Sequence, residues 1–491
     1  MVFQRSSHTL PLALLACSVP VAAQAPGGNP SPAAPAAAPA PQAASDAPWR
    51  LDRALGGPDW LTVGGEHRTR YESLDNQFRF RTPNANPPVR NYAENDDALM
   101  LQTLLRVDAT GDVFGATLEG IDARQYGLHD EAGTANDSYV DTTMVDSADV
   151  LQAYGTLKLG GSGGGAHELR VGRQTIDLGG RRLVARNAYR NTVNAFTGAS
   201  WAWQGESSAL RAFWALPVDR RPDNGDADDL LDNRQEWDDQ SLDLQFAGVY
   251  FESKLAGKAR YDLYAFGLDE RGASTREREL LTFGGRVHQA RKAGDWFYAI
   301  ELVGQTGESK TSTTATSVSD HQAGFGHASL GYQWEGSWSP AVQVAYDYAT
   351  GDSDPNDRDN ERFDTLFGAR RWEYGPTGLY GAVARANLDS PELRLMLQPR
   401  KHLQFTLGYR MVFLASDRDA WTASGLRDRS GASGDHVGDQ FELRMRWDVV
   451  PQAVEFDFGV CYLAEGSFQD RASQGQGDDV TYGYAQVSWK F

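Results

Sequence analysis

Over most of its length the chain alternates apolar and polar residues one for one, a period of two that suits strands and not helices. In 98–109, Leu99, Leu101, Thr103, Leu105 and Val107 alternate with Met100, Gln102, Leu104, Arg106 and Asp108. In 440–448, Phe441, Leu443, Met445 and Trp447 alternate with Glu442, Arg444, Arg446 and Asp448. Eighteen segments carry the pattern, near 60–72, 98–109, 113–125, 148–159, 167–176, 198–204, 208–217, 241–253, 258–268, 280–289, 295–306, 322–334, 340–349, 391–398, 403–413, 439–448, 454–463 and 480–491. The stretch 378–388 fits either a further strand or a helix. The connections alternate as regularly as the residues: 25 residues, then 3, 22, 7, 21, 3 and 23. A β-sandwich has no reason to order its loops this way. An outer-membrane barrel does, with short periplasmic turns, long external loops and an even strand number that returns both termini to one side. The expected fold is all-β, a transmembrane antiparallel up-and-down β-barrel of 18 strands around an aqueous lumen.

Composition agrees with this reading. The net charge of −19 argues against nucleic acid as a partner, since such proteins present a basic face. After the leader, no uninterrupted apolar run is long enough for a membrane helix, but a barrel needs none. The 13 Trp and 19 Tyr suit two girdles at the membrane interfaces, where these side chains prefer to sit. Lipids and lipopolysaccharide of the outer membrane are then expected neighbours. The terminal Tyr482–Phe491 strand, ending on an aromatic, resembles the signal read by outer-membrane assembly machinery.

Residues 1–25 have a basic start at Arg5, an apolar run over Leu10–Ala16 and Ala23-Gln24-Ala25, the order of a secretory signal peptide cleaved after Ala25. Leu14-Leu15-Ala16-Cys17 also resembles a lipidation box, which Leu15 fits poorly. Residues 26–48 are almost wholly Pro, Ala, Gly and Ser and read as a disordered spacer, or as a docking segment for a periplasmic partner. The barrel domain is then 49–491. Cys461 is left alone in the mature chain and reads as a small filler.

With the apolar set facing lipid, parity turns the other set into the lumen. That inward set includes Glu66, Arg68, Arg70, Arg106, Arg170, Arg211, Arg286, Arg394, Arg410, Arg444 and Arg446. Inward acids are about as numerous: Asp108, Glu119, Asp243, Asp262, Glu301, Asp347, Glu442, Glu455 and Asp457. Inward arginines can hold carboxylates of a passing anion in weak, repeated contacts. They can equally pair with acids on neighbouring strands and brace the wall. Arg394, Arg410, Arg444 and Arg446, on three consecutive strands, favour the first role.

Other signals point to no chemistry. The acidic stretch Asp352–Asp359 resembles Ca²⁺-loop spacing but lacks the turn glycine and a bidentate Glu, so it reads first as a solvated loop. No hydrolase, zinc-protease or phosphate-loop motif occurs, and no enzyme activity or other cofactor is expected. A secreted β-rich carbohydrate-active enzyme would need paired carboxylates in one cleft, whereas these acids are scattered.

One stretch resembles a known family. Leu169-Arg170-Val171-Gly172-Arg173-Gln174, Asp177, Gly180–Val184 and Phe196-Thr197-Gly198 are similar to the Gly-Arg-Gln strand and following loop of the alginate export family. Gly351–Asp357 followed by Phe363-Asp364-Thr365-Leu366-Phe367 resembles its acidic loop, and 437–447 and 454–466 its late strands. The resemblance implies an 18-stranded barrel with an Arg-rich constriction that exports a linear polyuronate. By position, the resemblance assigns Arg170, Arg444 and Arg446 to the family's inward arginines and carries over Arg173 and Asp177 as well. Thr197-Gly198 departs from its usual Asp-Gly, and the Pro/Ala spacer is additional. The expected function is passive diffusion of an anionic polysaccharide, with anion-selective uptake of small organic acids as the alternative.

Overall fold

The computed structural model describes residues 49–80, 92–129, 138–160, 165–272 and 275–491. The expected leader and Pro/Ala spacer lie outside these residues. Among these described residues, nineteen strands form one sheet. The first nine are β1 Leu61–Asp75, β2 Asn95–Thr110, β3 Phe114–Tyr126, β4 Asp146–Leu159, β5 Ala166–Gln174, β6 Phe196–Gln204, β7 Ser208–Pro217, β8 Leu244–Lys254 and β9 Arg260–Glu270. The next five are β10 Glu279–Gln289, β11 Asp295–Ser309, β12 Ser319–Gln333, β13 Ala341–Ala349 and the two-residue β14 Asp359–Asn360. The last five are β15 Leu388–Arg400, β16 Leu403–Phe413, β17 His436–Val450, β18 Val454–Glu465 and β19 Val480–Lys490.

Each expected segment corresponds to a strand, with ends moved by a few residues. The stretch 378–388 resolves as loop running into β15. Asp243 precedes β8 and is exposed rather than inward. β14 lies parallel beside the upper end of β12, and the other eighteen strands pair antiparallel in sequence order. The sheet closes where β1 meets β19, from Glu66↔Lys490 to Asp75↔Thr481. The last residue continues that seam: Phe491 N–H donates to Gly65 O at 3.0 Å and Gly65 N–H to Phe491 O at 2.7 Å. Gly65 is what lets Phe491 lie flat there, because a Cβ would sit 2.9 Å from the Phe491 ring.

Period two sets the two faces. Leu105, Leu118, Val171, Leu263, Leu302, Leu393 and Phe456 point outward and are exposed, as lipid contact requires. Exposed aromatics gather at both rims. Trp60, Phe114, Trp296, Trp334 and Trp447 mark the short-turn end, and Tyr71, Tyr126, Tyr348 and Tyr462 the long-loop end. Of the arginines carried by the strands, most lie on the inward face.

Candidate functional site in the barrel lumen

Two of the long loops fold into the lumen. The first, 175–195, joins β5 to β6; the second, 350–387, joins β13 to β15 and contains the short helix α1 Arg371–Tyr374. They meet at a parallel bridge between Val184 and Phe367. Phe367 N–H donates to Leu183 O at 2.9 Å, and Ala369 N–H to Arg181 O at 2.8 Å. Gly368 makes this crossing possible, since a Cβ there would overlap the Arg182 carbonyl. Loops bathed in water do not bury apolar side chains, yet Ile176, Leu178, Leu183, Val184 and Val193 are buried, as are Phe363, Leu379 and Val383. Burying them inside the barrel is the hydrophobic drive that folds these loops inward.

Arg68, Arg70, Arg106, Arg170, Arg211, Arg286, Arg394, Arg410, Arg444 and Arg446 lie on the inward faces of their strands, and the structure gives eight of them a carboxylate partner. Arg70 pairs with Glu72 at 2.9 Å, Arg106 with Asp108 at 2.7 Å and Arg170 with Glu168 at 2.6 Å. Arg286 pairs with Asp262 at 2.6 Å, Arg394 with Glu392 at 2.5 Å and Arg446 with Glu455 at 2.6 Å. Arg410 reaches Asp347 at 3.1 Å and Glu392 at 3.2 Å, and Arg444 Nε donates to Asp457 at 2.9 Å. The other two donate to main chain of the first loop. Arg68 donates to the carbonyls of Ala188 at 2.8 Å and Arg190 at 2.6 Å, and Arg211 to that of Asp177 at 3.3 Å. Arg173 lies 3.5 Å from Asp149, Asp177 accepts from Arg186 N–H at 2.7 Å, and Glu66 faces Lys490 at 3.9 Å. Arg170 and Arg446 keep about a third of their side chains exposed, at 36% and 35%, and both sit towards the short-turn end.

Wall arginines therefore largely brace the loops. Arg70 also donates to Tyr189 O, and both Arg394 and Arg410 to Glu373 O, at 3.1 and 3.2 Å. At the centre the Glu373 carboxylate joins the loops to each other: one oxygen takes Arg182, the other Arg385 at 2.6 Å, while Arg182 also reaches Glu301 on β11. Burial alone would push the Glu373 carboxyl up, but the Arg182 and Arg385 charges outweigh it and hold it well below the usual carboxylate range.

Among the described residues a second set of arginines makes no direct ion pair, although Arg220 lies near enough to Asp146, Asp219 and Asp238, and Arg79 to Asp96, to act on them by charge. Arg79, from the loop after β1, donates to Leu379 O at 2.8 Å and Gln77 Oε1 at 3.1 Å. Arg190 donates to Asn194 Oδ1 at 2.5 Å, Arg220 to Thr142 O at 2.9 Å, and Arg370 to Gly381 O at 3.5 Å. Burial, then the repulsion of Arg220 and Arg370, lowers Arg190 to about 9. Burial and neighbouring Arg79 and Arg385 lower Arg370 likewise. Asp141 is the carboxylate that opposes this on both. Parity reasoning over strands passes these residues by. The available signal is loop charge, because 175–195 carries four arginines against one aspartate in a chain of net charge −19.

The acidic stretch Asp352–Asp359 is spread out. Asp352 faces Arg427 at 3.1 Å, Asp354 accepts from Asn356 N–H and Asp357 from Asp359 N–H. Among the described residues, three carboxylates converge instead at Asp146, Asp149 and Asp238, their oxygens within 4.8 Å of one another. Burial, followed by the Asp149 charge, raises Asp238 to about 6. A carboxyl raised by folding favours the fold while protonated, and that contribution is lost as pH climbs from about 4 through 6. Asp238→Asn is expected to raise the heat-denaturation temperature at pH 8 by several degrees and to change nothing at pH 4, read by gel mobility after heating.

The alginate export family model matches residues 59–482. The chain belongs to the alginate export family. It is an outer-membrane channel of the β-barrel type. No curated protein matches it significantly. Solved structures show the same fold at low identity. OccK2 (OpdF) of Pseudomonas aeruginosa, solved in complex with glucuronate, is 11% identical over 88% of this chain and 96% of its own, with a TM-score of 0.54. OpdK of that organism, solved with vanillate, is 13% identical over 87% and 98%, with a TM-score of 0.53. Its OccK8 (OprE) is 12% identical over 88% and 98%, with a TM-score of 0.55. In this family member the lumen is narrowed by 175–195 and 350–387, and the wall arginines hold them in place.

Proposed function

We propose that the channel conducts a linear polyuronate by passive diffusion, its carboxylates passing between arginine contacts on either side of the narrowed zone. The observation that carries this reading is the cluster Arg79, Arg190, Arg220 and Arg370, whose side chains, among the described residues, donate to carbonyl and amide oxygens rather than carboxylates. Mutual repulsion there is relieved by an incoming carboxylate, which guanidinium groups bind by charge-assisted pairs. Arg170 and Arg446 supply exposed contacts at the opposite mouth. Weak, repeated sites suit conduction better than one tight pocket.

Uptake of a small organic acid is the second reading, supported by OccK2 and OpdK having been solved with glucuronate and vanillate. Blockage of ion current in planar bilayers separates the two. For a polymer path, a hexameric uronate blocks ~10²-fold more tightly than glucuronate, as linked contacts do. Equal block by the monomer favours uptake. Arg190→Gln with Arg370→Gln should weaken hexamer block about tenfold, the loss of roughly 1.4 kcal/mol of charged hydrogen bonding. Unchanged block in that variant, or equal block by a neutral oligosaccharide, sinks the arginine pathway.

A further inference from the structure

The lipid-facing wall is not uniform. Across β10–β13 two adjacent outward rows run in register: Phe283, Gly304 and Gly324, then Leu302, Gly326 and Tyr348. The glycines leave a notch of about 420 Å³, walled by Phe283, Leu302 and Tyr348, which are 52%, 67% and 39% exposed. Its surface is almost wholly apolar. Neither Gly324 nor Gly326 is required by the backbone. A Cβ at Gly324 would meet only Val303 O at 3.6 Å, and one at Gly326 only Leu302 Cδ2 at 3.5 Å. The missing side chains therefore make the notch and nothing else.

Directly towards the long loops a polar cavity of about 510 Å³ adjoins it, sharing Gly324, Tyr348 and Thr350. Thr306, Gln322, Ser353 and Glu361 line this upper space, and no lysine or arginine does. Tyr348 belongs to the aromatic rim at that end, so the notch lies just inside the hydrocarbon and the polar cavity at headgroup height. Hydroxyl, amide and carboxylate groups suit sugar hydroxyls, so the phosphates of a sugar lipid would lie outside this cavity.

We infer that this pair of cavities is a binding site for an acylated sugar lipid of the outer leaflet, one acyl chain in the glycine notch and the sugar against Thr306 and Gln322. The occupant follows from position, since acyl chains bathe this wall, and from the continuity of the apolar notch with a polar one of matching height.

The test is native mass spectrometry of the full-length protein in detergent, with added lipid A or dimyristoyl phosphatidylethanolamine. Wild type should retain one lipid A per barrel. Gly324→Val with Gly326→Val, which fills the notch with residues that strands favour, should lower retention at least tenfold with heat-modified gel mobility and conductance unchanged. Thr306→Val with Gln322→Leu should weaken lipid A only. Three results overturn the inference: equal lipid A retention by wild type and the notch variant, phosphatidylethanolamine held as well as lipid A, or a protein dimer that the valines dissociate.

Discussion

Glu373→Gln is expected to open the channel. The Glu373 carboxylate binds both Arg182 from the first inward loop and Arg385 from its own. The amide keeps shape and loses charge. Arg182 retains Glu301, but Arg385 is left with the carbonyls of Arg182 at 2.7 Å and Ala369 at 3.3 Å. Arg385 is 0% exposed, so its charge then sits buried and unpaired, a cost of about 3–5 kcal/mol. The cheapest relief is for 350–387 to leave Arg182 and expose that charge to lumen water, which separates Val184 from Phe367. Single-channel conductance should rise severalfold with noisy openings, and the unfolding temperature should fall. Removing the orphaned charge as well is the control. Glu373→Gln with Arg385→Met should return conductance towards wild type, because deleting both partners of a buried pair costs far less than deleting one. Wild-type conductance in the single variant would mean that Glu373 does not hold the loops.

How much of this was legible in the sequence divides along contact range. Strands such as β2 and β17 announce themselves, because each apolar–polar step is local and lipid on one side enforces it. Loop order followed from the same strands, and Phe491 at the seam followed from the closing pattern. The inward loops did not follow. Arg182 meets Glu373, and Val184 meets Phe367, across more than a third of the chain, with no period to register the pairing. Parity placed Arg68, Arg70 and Arg410 in the lumen but could not say that loop carbonyls of Ala188, Tyr189 and Glu373 would receive them. Two local clues existed: buried-type residues Leu178, Leu183 and Val184 in a segment read as external, and that segment's excess of arginine over acid.

Charge reversal at Arg444 and Arg446 tests the other consequence of this layout, that the lumen's field and not its net charge of pairs sets ion preference. Arg444 shares Asp457 with Tyr484, whose hydroxyl donates to the same carboxylate at 2.8 Å and accepts from Arg371 at 3.0 Å. Arg446, paired to Glu455, faces open lumen towards the short turns. Arg444→Glu with Arg446→Glu changes the wall by four charge units. At about 8 Å in water each unit acts on a passing ion with roughly 0.5 kcal/mol, so the four supply about 2 kcal/mol before screening. A Debye length of about 8 Å at 0.15 M salt cuts this to roughly 1 kcal/mol, whereas about 30 Å at 0.01 M leaves most of it. Reversal potentials should therefore show an anion-preferring wild type and a variant shifted several-fold towards cations at 0.15 M, and tenfold or more at 0.01 M. Arg446→Glu alone should give about half the free-energy shift without disturbing Asp457. A cation-preferring wild type, or a shift indifferent to salt, would show that the arginines of the wall act only as braces.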